Sequence, residues 1–237
     1  MTLLPAEIHL WPIHLNHLDN PASEFACVLS AAEAARAFRY RFIGDRQSFT
    51  ISRAVLRILL GKYLGAKPQT IQFCYGQAGK PRLKNPSTLC FNVSHSGSMA
   101  LLAFTHTSEI GVDIEQVRAL DNLCGIAEQF FCAEEYRDLM SLSPDLRERA
   151  FFQCWTRKES YMKAIGEGFS TPLDQFRVTL LPEDPARLVH IGNDPDKAAG
   201  WTLHNVDVAP GYAAAVAYAG PPKNLQVITY SADLPRD

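Results

Sequence analysis

Trp155-Thr156-Arg157-Lys158-Glu159-Ser160-Tyr161-Met162-Lys163-Ala164-Ile165-Gly166 is the stretch on which the reading of this chain turns. At helical spacing Trp155, Glu159 and Lys163 stand four residues apart on one face, with Lys158 on its edge. Gly166 is a natural stop, because helices commonly end on a glycine in the left-handed conformation. One carboxylate and two ammonium groups beside an indole suit a place that holds a metal ion and a phosphate together. Taken alone, the same face equally describes an exposed helix with an i,i+4 Glu–Lys pair. The rest of the chain has to separate the two.

Upstream, Ile110-Gly111-Val112-Asp113-Ile114-Glu115 reads as a strand. Val112 and Ile114 face a core, and Asp113 and Glu115 share the other face. Two carboxylates side by side repel unless a cation or hydrogen bonds offset them. Hard oxygen ligands suit Mg²⁺, which completes its shell with water and substrate phosphate; the plainer alternative is a strand end whose acids face water. Residues 89–93 form a strand, followed by a polar turn, Ser94-His95-Ser96-Gly97, and a second strand at 99–104. The hydroxyls, imidazole and backbone N–H groups of that turn suit a phosphate. They do not suit a Ser-His-Asp hydrolase, since there is no G-x-S-x-G elbow. The glycine-rich turn Gly76-Gln77-Ala78-Gly79-Lys80-Pro81 is not a Walker A loop but brings one lysine close to backbone N–H groups.

Ser30 and Glu33 have capping-box spacing at the head of a helix to residue 38. A longer helix spans 45–64, with Phe49, Leu56, Leu59, Leu60 and Tyr63 as its apolar stripe and Gly65 and Pro68 as its stop. Arg46, Arg53 and Arg57 share another face of it, either solvated or phosphate-binding. Helices follow at 122–131 and 133–142. Glu135 has a structural role there, although Cys132 stands where a capping box wants Ser or Thr. Strands are expected at 8–11, 71–75, 176–181, 201–206 and 212–218, and residues 182–200 read as a surface excursion. Each half has a long cationic helix and a late small-residue strand, Met99-Ala100-Leu101-Leu102-Ala103-Phe104 and Tyr212-Ala213-Ala214-Ala215-Val216-Ala217. The expected fold is α+β, with two similar pseudo-symmetric lobes, 1–109 and 110–237. Each lobe is an antiparallel sheet packed with a long helix, and the active site lies at the interface.

Composition sets the outer limits. The chain has 237 residues, 47% hydrophobic and 20% charged, enough for a sizeable core and too apolar for disorder. No apolar run reaches a membrane span, and the first residues lack the basic and apolar regions of a signal peptide. Six cysteines, at 27, 74, 90, 124, 132 and 154, include no C-x-x-C pair and read as reduced core thiols of a cytoplasmic protein. His9, His14 and His17 read as surface histidines. The net charge of −2 hides eleven basic residues between Arg36 and Lys84 against one acid, Asp45. Such a field attracts an anion, and the pI near 6.4 points away from nucleic acid towards a small polyphosphate or an acidic protein.

Together these segments resemble the Sfp-type 4′-phosphopantetheinyl transferases. The resemblance is carried by Gly79-Lys80-Pro81, Phe91-Asn92-Val93-Ser94-His95-Ser96-Gly97, Gly111-Val112-Asp113-Ile114-Glu115, Phe130-Phe131 with Glu135-Tyr136, Trp155-x-x-Lys158-Glu159-x-x-x-Lys163-x-x-Gly166-x-Gly168, and Pro210-Gly211-Tyr212. It implies that coenzyme A gives its phosphopantetheine arm to a serine of an apo acyl or peptidyl carrier protein, releasing adenosine 3′,5′-bisphosphate. It implies Mg²⁺, with Mn²⁺ as an alternative, on Asp113, Glu115 and Glu159. Lys158 and Lys163 would lie by the phosphates, and Glu159 and Lys163 would carry the catalysis. Lys80, Asn92, Ser94 and His95 would hold coenzyme A, with His95 and Arg53 near its 3′-phosphate. The base is either Glu159 or a water beside it, and the expected enzyme is monomeric, with no nucleic-acid or membrane partner. Two other readings stay open on residues alone: a Mg²⁺-dependent nuclease, for which the Lys158-Glu159 spacing is wrong, and a coenzyme A- or carrier-binding module without catalysis.

Overall fold

In chain order the elements are β1 (Glu7–His14), α1 (Ala22–Phe25), α2 (Ala31–Phe38), α3 (Ile43–Leu64), β2 (Phe73–Tyr75), β3 (Pro81–Leu83), β4 (Leu89–Ser96), β5 (Met99–His106), β6 (Ile110–Gln116), α4 (Leu123–Phe130), α5 (Ala133–Ser141), α6 (Pro144–Ile165), β7 (Phe176–Val178), β8 (Leu188–Ile191), α7 (Pro195–Ala199), β9 (Trp201–Asn205), β10 (Tyr212–Ala219) and β11 (Asn224–Val227). The computed structural model describes residues 1–16, 22–76, 79–166, 171–192 and 194–230. His17, Gln77, Ala78 and Gly168, named above, lie outside the described residues.

The two expected lobes are present and repeat one plan. In the first, β1, β5 and β4 lie side by side and antiparallel; in the second, β6, β10 and β9 do the same. The small-residue strands β5 and β10 are the middle strands, buried on both faces. One face of the first sheet carries Trp11, Ile13, Ala100, Leu102 and Phe104 against Val55, Ile58 and Leu59 of α3. Ala213 and Ala217 of β10 lie in the core that α6 shares. The inner faces of the two sheets meet through Leu10, Leu101 and Ala103 on one side and Val112, Ile114, Ala214 and Val216 on the other. The layers therefore run helix, sheet, sheet, helix. Among the described residues no helix is long and apolar enough to cross a membrane.

The repeat extends to the way each helix is held. Both α3 and α6 have 22 residues and end on a left-handed glycine, Gly65 (φ 62°) and Gly166 (φ 74°). Before each of them a short helix starts with a capping box. Ser30 N donates to Glu33 Oε2, and Cys132 N donates to Glu135 Oε2. Both glutamates take a cation from the long helix: Arg57 Nε donates to Glu33 Oε2 at 2.7 Å, and Lys158 Nζ to Glu135 Oε1 at 2.7 Å. Arg57 also donates to Pro68 O and Ile71 O, and Lys158 to Phe176 O. Arg57 and Lys158 stand at the same remove from their terminal glycines. They are the bolts that tie helix, cap and following segment together.

Several expectations need correction. β11 leaves the second lobe and pairs in parallel with β1, Glu7 opposite Asn224, so the first sheet has four strands and the second lobe does not keep all of 110–237. Ser94, His95 and Ser96 continue β4, because Ser96 still pairs with Met99, and the turn is only Gly97-Ser98. Residues 182–200 contain β8 and α7. His9 is 4% exposed, with Nδ1 2.7 Å from Tyr63 Oη, and is a core histidine. Of the cysteines only Cys132 and Cys154 are buried; Cys27, Cys74 and Cys124 are exposed.

Candidate active site

β6 and α6 approach each other unusually closely at Gly111. A Cβ there would lie 2.1 Å from Ser160 O and 2.3 Å from Ala164 N, so only glycine allows the contact. The pleat then turns the open Cα of Gly111 and the side chains of Asp113 and Glu115 to the face that meets α6, opposite to Val112 and Ile114 in the sheet–sheet core. Asp113 is 2% exposed. Its Oδ1 accepts from Lys163 Nζ at 2.5 Å and from Ser94 Oγ at 2.8 Å, and Lys163 Nζ also donates to Ser94 Oγ at 2.8 Å. Glu115 Oε2 accepts from Ser96 Oγ at 2.7 Å. Glu159 stands one helical turn before Lys163, half-buried.

The carboxylates sense one another. Burial raises the pKa of Glu159 above the ordinary value, the negative charges of Asp113 and Glu115 raise it further, and Lys163 opposes them. Burial likewise raises that of Glu115, the Ser96 hydrogen bond lowers it and Asp113 raises it. Asp113 Oδ2 is buried and, among the described residues, has no hydrogen-bond partner. An orphaned carboxylate oxygen in a group of three acids fits a hard cation that keeps water and phosphate as its remaining ligands. Among the described residues no group of three His, Cys, Asp or Glu side chains stands in an arrangement that could hold a metal ion, and Lys163 is the cation that meets Asp113.

The remaining predicted residues separate into three groups. Asn92 and Ser94 lie on the face of β4 turned to β6. Asn92 Oδ1 accepts from Val112 N at 2.9 Å, so these side chains replace a backbone ladder where the two sheets meet. His95 points to the opposite face. Burial and the Lys163 charge hold its pKa below the ordinary value, with Asp45 and Asp113 pulling the other way. Lys80 Nζ donates to Ile110 O and Ala164 O, both at 2.9 Å, and lies 3.6 Å from Glu109. It braces the last turn of α6, whose carbonyls favour a cation. Burial brings its pKa down to about 8.

Lys158, expected by the phosphates, is 0% exposed and held by Glu135 and Phe176 O; this is a correction. Its charge is spent inside the second lobe. Trp155 also packs within that lobe, stacked on Phe151 and edge-on to Phe130. The arginine stripe divides. Arg57 is 2% exposed and structural, whereas Arg46 lies over Phe38. Arg53 Nε is 3.7 Å from Glu33 Oε1, and its Nη1 is buried without a hydrogen-bond partner among the described residues. Next to this cluster a cavity of about 790 Å³ is lined by Arg36, Arg39, Phe73, Tyr75, Gly79 and Lys84. Gly79, which lines this cavity, precedes Lys80, whose Nζ reaches Ala164 O on the last turn of α6.

Sequence reasoning treated Ser96 only as part of a polar turn. The signal that could have found it is the alternation Asn92, Ser94, Ser96, three hydrogen-bonding side chains at strand period opposite Val112, Asp113 and Glu115.

Two family models match this chain in succession. Residues 20–107 match one described as "4′-phosphopantetheinyl transferase, N-terminal", and residues 109–217 one described as "4′-phosphopantetheinyl transferase superfamily". The chain is 39% identical over 223 residues to the 4′-phosphopantetheinyl transferase HetI of Nostoc sp. (strain PCC 7120), covering 93% of this chain and 91% of that protein. It is 31% identical to the 4′-phosphopantetheinyl transferase ffp of Bacillus subtilis, over 91% of this chain and 96% of the relative. It is 28% identical to the 4′-phosphopantetheinyl transferase Sfp of Bacillus subtilis (strain 168), over 90% and 96%.

Proposed function

The chain belongs to the 4′-phosphopantetheinyl transferases, enzymes that move the phosphopantetheine of coenzyme A to a carrier protein, and we propose that Asp113, Glu115, Glu159 and Lys163 carry the transfer. The observation behind this assignment is the buried, unpartnered Oδ2 of Asp113 beside Lys163 and two further carboxylates. Asp113, Glu115 and Glu159 would hold Mg²⁺ or Mn²⁺, which when bound neutralises pyrophosphate charge and the developing charge on the leaving oxygen. Lys163, already on Asp113, adds a positive charge where the phosphates come to lie. The basic cavity lined by Arg36, Arg39 and Lys84 takes the 3′-phosphoadenosine end of coenzyme A, with Tyr75 and Phe73 as apolar walls. Arg53, whose guanidinium lies over Phe73 of that cavity, would act at the same end, and Lys80, Asn92 and Ser94 act by bracing the site.

The carrier serine hydroxyl attacks the phosphorus that bears the pantetheine arm. The bond to the bridging oxygen breaks, adenosine 3′,5′-bisphosphate leaves, and Glu159 takes the serine proton. Both sides of the site come from one chain, Ser94 from the first lobe and Asp113 and Lys163 from the second, which supports a monomeric enzyme.

Mass spectrometry of apo acyl and peptidyl carrier proteins incubated with the protein, coenzyme A and Mg²⁺ tests this. The expected result is one added phosphopantetheine on at least one carrier, lost with EDTA and lost in Asp113→Ala and Glu159→Ala. Transfer that survives EDTA, or near-wild-type turnover in either variant, overturns the assignment of the acids.

A further inference from the structure

Ser96 ends β4 in the first lobe, and its hydroxyl both accepts and donates. It accepts from Gln116 N at 3.1 Å and donates to Glu115 Oε2 at 2.7 Å. The backbone N–H can only donate, so the single hydroxyl proton is directed to the carboxylate. Ser96 takes Glu115 Oε2 and leaves Oε1 as the other oxygen of that carboxylate. β4 ladders with β5, and β6 with β10, so the position of Glu115 relative to the first lobe rests on side chains. Ser94 makes the matching contact to Asp113 two residues earlier. From this geometry we infer that Ser96 is a positioning residue for the transfer: it fixes Glu115 Oε2 so that Oε1 is presented to the cation. The inference rests on the proposal above that Glu115 is a cation ligand. It makes lobe-to-lobe docking a condition of cation binding, since one lobe holds the ligand and the other aims it.

A partner that merely sews two lobes together would alter stability and leave cation affinity alone, so affinity is the measurement. Free Mn²⁺ is followed by electron paramagnetic resonance in solutions of the protein with coenzyme A. Hydrogen-bond partners of metal ligands typically contribute about 10- to 100-fold in metal affinity. Ser96→Ala should weaken Mn²⁺ binding by that order. Ser96→Thr, which keeps the hydroxyl, should bind as wild type, and Ser96→Val, its isostere without one, should bind like the alanine variant. The Thr and Val pair decides the matter if the alanine variant does not fold. Coenzyme A binding measured in EDTA should be the same in all four proteins. Equal Mn²⁺ affinity in the Thr and Val variants, whatever their melting temperatures, overturns the role of Ser96 alone. A wild-type protein that retains no Mn²⁺ in the presence of coenzyme A overturns the cation reading of Glu115 as well.

Discussion

Lys158 and Glu159 are neighbours on one helix, yet the first is spent on the fold and the second faces the site. Lys158 and Glu135 form a fully buried pair, and Glu135 also accepts from Cys132 N and Val178 N. Removing one member of such a pair leaves an uncompensated charge in the interior. Lys158→Ala should therefore lose about 3–5 kcal/mol in urea unfolding, while the KM for coenzyme A of the folded fraction stays near wild type. A raised KM with intact stability would return Lys158 to the phosphates. His9 gives a pH prediction. Trp11 Nε1 can only donate, so Tyr63 Oη accepts from it and has its own proton for His9 Nδ1. Burial lowers the His9 pKa below 6.5, against the pull of Glu7. The unfolded chain then takes up a proton that the folded chain refuses. Stability is whole above about 6.5 and falls as the pH drops below it. Urea titrations at about pH 7.5 and pH 5.5 should show a larger loss for wild type than for His9→Asn, whose amide oxygen can accept from Tyr63 without titrating; equal losses would contradict the assignment.

At the scale of elements, the contact between β6 and α6 carries the chemistry, and Gly111 sets its distance. Gly111→Ala drives a Cβ into Ser160 O and Ala164 N, backbone atoms that cannot swing away. Overpacking typically costs about 1–3 kcal/mol. The variant should melt lower and lose more activity than its stability loss explains, because Asp113 and Lys163 lie on the two elements forced apart; thermal unfolding beside kcat at a temperature where both proteins are folded checks this. Much of this arrangement was legible. The glycine stops at Gly65 and Gly166, the capping box of Ser30 and Glu33, and the paired acids of β6 follow from local chemistry and strand period. The end of β4 was not, because Ser94 and Ser96 are polar where a central-layer strand should be apolar, and polar residues before a glycine read as a turn. Their reason for being polar lies in β6, about twenty residues on. The burial of Arg57 and Lys158 was hidden similarly, since each partner sits in another helix more than twenty residues earlier.

At the scale of the whole molecule, the frame is built twice and the chemistry once. Where α6 places Glu159, α3 has Ile58 at the same remove from its terminal glycine, and Ile58 lies in the core. Where β6 turns Gly111, Asp113 and Glu115 towards α6, β1 turns His9, Trp11 and Ile13 towards α3, with His9 and Trp11 on Tyr63. Large side chains fill the first lobe at the place the second leaves for its acids. The halves are not separable, however, because the chain returns. β11 pairs with β1, Ile228 N donates to Leu10 O, and Ile228 and Tyr230 pack on the first core. Lys223 Nζ donates to Thr105 Oγ1, His106 O and Ser108 Oγ, holding the link between β5 and β6. Deleting residues 221–237 should strip these contacts, leave the edge of β1 unpaired and expose apolar surface of the first core. For a chain of this size each kcal/mol lost lowers the melting temperature by about 2–4 °C, so a loss of several kcal/mol is plain in a thermal scan. The truncated protein should melt well below wild type and aggregate on size exclusion. Asp113 and Lys163 lie on β6 and α6, so transfer at low temperature should survive in whatever fraction remains folded. An unchanged melting temperature would show that the returning strand decorates the first lobe and does not complete it.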